Sequence, residues 1–159
     1  MAIGRGDLDF RDAQHLHDML KRLPPLSLIV NAAAYTDVDK AEREPLTAEL
    51  VNAEAPVVLA AEADRRGIPM VHFSTDYVFD GQCKGVASQL ERPLHCHKSA
   101  RDARCDRPVN HLEPYTEADR PNPISVYGWS KLAGEQRVRD ICNRHLIFRL
   151  SGLYGAEIF

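Results

Sequence analysis

No stretch of this chain stays apolar for anything near the ~20 residues that a membrane-crossing helix requires, and hydrophobic residues make up 44% of it. Its first ten residues, M-A-I-G-R-G-D-L-D-F, lack both the apolar core and the small-residue cleavage pattern of a secretory leader. Charge of one sign is also lacking. Twenty Lys and Arg stand against 23 Asp and Glu, a formal charge of −3, so no basic field favours nucleic acid. Cysteines are few: Cys83, Cys96, Cys105 and Cys142 have no disulfide-scaffold spacing and form no close zinc-type pair, and they read as reduced thiols. No G-x-G-x-x-G or G-x-x-G-x-x-G follows a strand; Gly4 and Gly6 come nearest, but no strand precedes them. These absences predict a cytoplasmic globular protein without a membrane, nucleic-acid or metal partner.

What is present is the rhythm of an α/β protein. The 159 residues suffice for one domain with a core. Leu16, Met19, Leu20 and Leu23 fall at helical spacing between a capping Asp12 and Pro24-Pro25, predicting a helix over Ala13–Arg22. Leu26–Val30 reads as a buried parallel strand. Helical composition covers Asp39–Glu44 and Leu46–Arg66, with Pro45 and Pro56 marking breaks or first turns and Gly67 the end. Ile68–Phe73 reads as a strand, Pro123–Asp140 as a helix and Leu146–Leu150 as a strand. Strands alternating with helices predict a parallel sheet whose ligand lies at the carboxyl ends of the strands. Asn31–Thr36 and Ser74–Asp76 begin at two such ends.

Y-G-W-S-K at Tyr127–Lys131 sets a tyrosine and a lysine four apart, on one helix face. A nearby ammonium favours the phenolate and draws the tyrosine pKa down from about 10. Such a tyrosine exchanges a proton with a carbonyl oxygen at working pH. Ser74 and Thr75, at a strand end, offer hydroxyls to the same carbonyl. Alone the tetrad is a weak signal, since two common residues recur at that spacing by chance.

The surrounding blocks are long and stand in order: N-A-A-A-Y-T-D-V-D-K-A-E at Asn31–Glu42, V-N-A-E-A-P at Val51–Pro56 and H-F-S-T-D-Y-V-F-D-G at His72–Gly81. P-Y-T-E at Pro114–Glu117, P-I-S-V-Y-G-W-S-K-L-A-G-E at Pro123–Glu135 and H-L-I-F-R-L-S at His145–Ser151 follow. With these the chain resembles the dTDP-4-dehydrorhamnose reductases, extended short-chain dehydrogenase/reductases. The resemblance implies part of a Rossmann-like doubly wound parallel sheet with helices on both faces, residues 1–159 forming a partial NAD(P)-binding domain. It implies reduction of a 4-keto sugar nucleotide with NADPH, or NADH, as cofactor. The family's glycine loop and C-terminal sugar-nucleotide region have no match here, so the segment is read as a middle part, expected to turn over slowly by itself. A homodimer or a complementing chain stands open as its partner, and a non-catalytic module of the same fold is the competing reading.

Position by position, the resemblance makes Tyr127 the general acid and Lys131 the group that tunes it and holds the nicotinamide ribose. It gives Thr75 the substrate carbonyl and Asp76 the sugar, although an aspartate there equally suits a plain turn. Asp9 and Phe10 match the adenine end of the cofactor site; Ala33, Ala34, Tyr35, Thr36 and Phe73 fall where the family's chain passes the cofactor. Asn52 is either a relay residue or a plain polar helix position, and His72 reads as a core histidine. Gly152 departs from the pattern, standing where the family places a tryptophan against substrate. Gln82–Glu113, 32 residues rich in Lys and Arg with His95, His97 and His111 among them, reads as an inserted mobile loop.

Overall fold

Three parallel strands form the sheet of the computed structural model, which describes residues 2–4, 6–82 and 114–152. The strands are β1 (Ile29–Asn31), β2 (Met70–Thr75) and β3 (His145–Leu150), in that spatial order. Ile29 pairs with Met70, and Met70 with His145, so β2 is central. Parallel neighbours need crossovers, and helices supply them. This is the α/β parallel sheet that the alternating pattern predicts, in the Rossmann-like form that the resemblance implies. The expected loop over 82–113 falls outside the described residues from 83 onward, as do Cys83, Cys96 and Cys105.

The helix α1 (Ala13–Arg22) has the predicted bounds, with the Asp12 carboxylate accepting from His15 N. The α2 helix (Val38–Arg43) is capped by Asp37 in the same way. From α3 (Pro45–Glu49) the backbone runs on through one π-helical turn, Leu50–Glu54, into α4 (Ala55–Arg66). Pro56 stands in the first turn of α4, one of the two places expected for it, and the backbone before it widens instead of ending. Its missing N–H cannot serve the Asn52 carbonyl four residues back, and a π turn is how a helix absorbs such a defect. Gly67 stops α4 in the left-handed region, at φ 66°, where a side chain would be strained.

The site helix, α5 (Val126–Ile141), is held at two glycines. A Cβ on Gly134 would stand 2.1 Å from the Asn52 carbonyl oxygen, and one on Gly128 would stand 2.3 Å from that of Tyr77. Backbone therefore touches backbone at both points. Helices α4 and α5 cover one face of the sheet, and α1 packs on α4. Leu8, Leu16, Leu20, Leu59, Met70 and Val138 belong to the core on that side. Alternate strand residues point the other way, where Val30 is 53%, Leu146 59% and Phe148 46% exposed among the described residues. Parallel sheets ordinarily bury both faces, which is why these positions are apolar in the sequence.

Candidate active site

The carboxyl end of β2 and the first turns of α5 meet at the candidate site. Thr75, 5% exposed, closes the strand, and its Oγ1 caps a 3₁₀ turn (Asp76–Val78) by accepting from Tyr77 N at 3.2 Å. The same hydroxyl donates to the Asp76 carboxylate at 3.2 Å. Asp76 thus begins a turn, as its chemistry favours, and stays exposed at the groove.

Tyr127 sits in the first turn of α5. That turn is capped twice: Ser125 Oγ accepts from Gly128 N at 3.1 Å, and Glu42 of α2 accepts from Val126 N at 2.8 Å. The Tyr127 ring is 9% exposed and meets Tyr77 edge-on, with centroids 5.6 Å apart. Burial pushes its phenol above the ordinary value, and the nearby Asp76 and Tyr77 add to this, while the Thr75 hydroxyl pulls the other way. The net direction reverses the depression that the Tyr-x-x-x-Lys spacing predicts. The reason lies in where the lysine points. Lys131 is 2% exposed, and its Nζ donates to the Phe73 carbonyl of β2 at 2.6 Å. Burial lowers its own pKa to about 8.

Asn52 is 1% exposed and fully used. Its amide accepts from Tyr35 N at 2.9 Å and donates to Tyr35 O at 3.0 Å and to Ser130 Oγ at 2.9 Å. Ser130 then donates to Tyr127 O at 2.8 Å. The asparagine is a buried bracket tying the loop after β1 to the site helix, well beyond a plain polar position. His72 is buried outright; its Nδ1 pairs with the Asn31 amide at 3.0 Å, and burial lowers its pKa to about 4. It is a neutral core histidine, as the sequence suggests.

Two grooves flank this centre. One, a cavity of about 900 Å³, is lined by Asp9, Phe10, Asn31, Ala33, Ala34 and Tyr35 among others. Asp9 is clamped there by Arg11 at 2.6 Å, which holds its carboxyl down near 2. Thr36 is exposed and outside that lining; the Phe73 ring packs on Phe148, with centroids 6.0 Å apart, so only its carbonyl faces the site. The second groove, about 770 Å³, is lined by Asp76, Tyr77, Phe79, Asp80, Tyr115 and Arg149 among others. Phe79 and Tyr115 stack at 4.3 Å there. Gly152 is exposed.

Sequence reasoning passed over Glu135 and Arg149. Glu135 has no exposure and is gripped by Arg149 at 2.9 and 2.7 Å and by Arg139 at 3.2 Å. The available signal was its place four residues after Lys131, on the same helix face.

A family model described as the RmlD substrate binding domain matches residues 1–158. The chain is 40% identical over 150 residues to a probable low-salt glycan biosynthesis reductase of Haloferax volcanii, and 38% identical over 149 to dTDP-4-dehydrorhamnose reductase of Salmonella typhimurium. Each match covers 94% of this chain and 40% of the relative, so the chain spans about two fifths of their length. Among solved structures it is similar to a dTDP-4-dehydrorhamnose reductase of Clostridium acetobutylicum, with TM-score 0.75 and 32% identity over 99% of this chain and 46% of that one. It is similar also to the Bacillus anthracis enzyme in complex with NADP, with TM-score 0.71 and 32% identity over 96% and 44%. By sequence and by fold, the chain belongs to the RmlD substrate-binding domain family.

Proposed function

We propose that this chain carries the proton-donating centre of an NADPH-dependent reductase that converts the C4 keto group of dTDP-4-dehydro-L-rhamnose to the alcohol of dTDP-L-rhamnose. The observation that supports this most is the Tyr127 phenol, largely buried beside the strand end that carries Thr75, with burial raising it above its ordinary pKa. A phenol in that state keeps its proton at neutral pH, as a general acid for a carbonyl oxygen must. Thr75 orients the carbonyl and Asp76 binds the sugar from the groove that also holds Tyr77 and Arg149. Excluding water around Tyr127 strengthens each of these polar contacts.

The residues present suit the nicotinamide–ribose half of a dinucleotide. Ala33 and Ala34 bring main chain to the wall of a cleft of about 900 Å³ with little side chain in the way. Lys131 supplies a cation for the ribose hydroxyls, Phe73 the carbonyl that holds that cation, and Asp9 and Phe10 line the far end. Tyr35 and Thr36 follow on the same loop. When bound, the nicotinamide supplies the hydride. The pyrophosphate cradle would come from outside these residues, on the same longer chain, a second copy or a complementing one.

NADPH fluorescence titration of the 159-residue chain, followed by an assay with the dTDP-linked 4-keto sugar, tests this. Saturable binding that weakens in Lys131→Ala is the expected result. Tyr127→Phe is expected to reduce turnover by about two to four orders of magnitude with binding retained. A folded chain that binds no NADPH would make it a non-catalytic module of the fold.

A further inference from the structure

We propose that Glu135 is a positioning residue for the reduction assigned above: its buried carboxylate, fastened to β3 by Arg149, keeps the Lys131 ammonium charged and seated on the Phe73 carbonyl. The inference rests on that functional reading and adds a residue to it. A buried ammonium is costly unless it is paired. Lys131 is 2% exposed, and its Nζ has one carbonyl at 2.6 Å. A carbonyl satisfies one of three N–H groups and supplies no counter-charge.

Among the described residues, Glu135 is the anion that acts on this lysine. From β2, His72 is neutral and Ser74 uncharged; from β3, Arg149 is a cation; from α5 itself, Tyr127 is a neutral phenol and Arg139 a cation. Asn52, from the π turn, is uncharged, and the exposed Asp76 acts on Tyr127. Glu135 lies one helical turn beyond Lys131 and is the charge that opposes the lysine's loss of its proton. Its own ionisation is secured from two sides. Arg149 donates to both carboxylate oxygens, a bidentate geometry of particular strength, and Arg139 adds a third contact. Burial would push the Glu135 carboxyl upward, yet the guanidinium pair holds it below its ordinary value. Arg149 pairs in register with Ser74, beside the end of β2, so the same strut fixes the spacing of α5 from the strand that carries Thr75.

The test is a lysine titration that needs neither cofactor nor substrate, so it can fail or succeed independently of turnover. The 159-residue chain is labelled at lysine side chains and the Lys131 resonance, assigned with Lys131→Arg, is followed by NMR from pH 5.5 to 10. Glu135→Gln is compared with wild type. The double variant Glu135→Gln/Arg149→Met leaves no unpaired guanidinium in the interior and guards against simple unfolding. Circular dichroism checks the fold of each, and Glu135→Asp, which keeps the charge, serves as the rescue. The expected result is a rise of about tenfold or more in the Lys131 acid dissociation constant in folded Glu135→Gln, a smaller rise in the double variant, which loses the Arg149 cation as well, and Glu135→Asp nearer to wild type. An unchanged titration in a folded Gln variant overturns the proposal. So does a wild-type Lys131 that is already neutral below pH 7, a result that depends on no variant.

Discussion

At the scale of the residue, one spacing carries the proposed chemistry and burial decides its sign. Tyr-x-x-x-Lys was legible as a pair on one helix face, but its consequence depends on how deeply each group lies and what the lysine touches. Neither is local information. His72 shows the converse, since an apolar strand already suggests a buried neutral ring. Its pKa is lowered from 6.5 to about 4 by burial, with Lys131 adding to the effect. The unfolded chain takes up that proton as pH drops below 6.5, whereas the folded chain resists until about 4. Stability is therefore lost as pH falls through that window, by on the order of 3 kcal/mol from this group. Urea unfolding at pH 7.5 and pH 4.5 reads the loss, and His72→Gln, which keeps an acceptor for Asn31, is expected to flatten it. An equally steep loss in that variant would assign the acid sensitivity to other groups.

At the scale of the element, helix limits followed from their caps. Asp12 and Gly67 end helices in the sequence and in the structure alike. Pro56 stands in the first turn of α4, one of the two places its position allowed, but a proline does not say whether the preceding backbone will break or bulge. The bulge sets the Asn52 carbonyl against Gly134, and no local rule connects positions so far apart in the chain. The same contact makes Gly134→Ala unusual. An alanine inside a helix is normally worth about 1 kcal/mol over glycine, but here the added methyl meets a carbonyl oxygen at 2.1 Å and must push two helices apart. A net loss of about 1–3 kcal/mol is expected, measured as a lower Tm with two-state unfolding retained. The bracket beside it predicts a second loss. Asn52→Ala strips partners from Tyr35 N and O and from Ser130 Oγ, and unpaired buried groups cost about 1–3 kcal/mol each. Both variants should lower NADPH affinity as well, because the loop after β1 is then held less firmly.

At the scale of the molecule, the sheet face left bare among the described residues could not be read from the strands, since an apolar run announces burial without naming the cover. Val30, Leu146 and Phe148 stand on it. An environment-sensitive apolar dye is expected to bind the folded chain, and Leu146→Lys with Phe148→Lys to suppress that signal while Tm changes little. A large fall in Tm would mean that the face is packed in solution. The sheet also has a history in time. Ile29 must find Met70, and Met70 must find His145, partners about forty and about seventy-five residues apart. No strand pair can form from neighbouring chain, and such distant pairings close slowly. During synthesis the helix with Tyr127, Lys131 and Glu135 leaves the ribosome before β3 does. Until β3 arrives with Arg149, Glu135 has only Arg139 of its two guanidinium partners and the helix has little reason to bury it. The strand that carries Arg149 is thus the one that licenses the helix with Tyr127 to close.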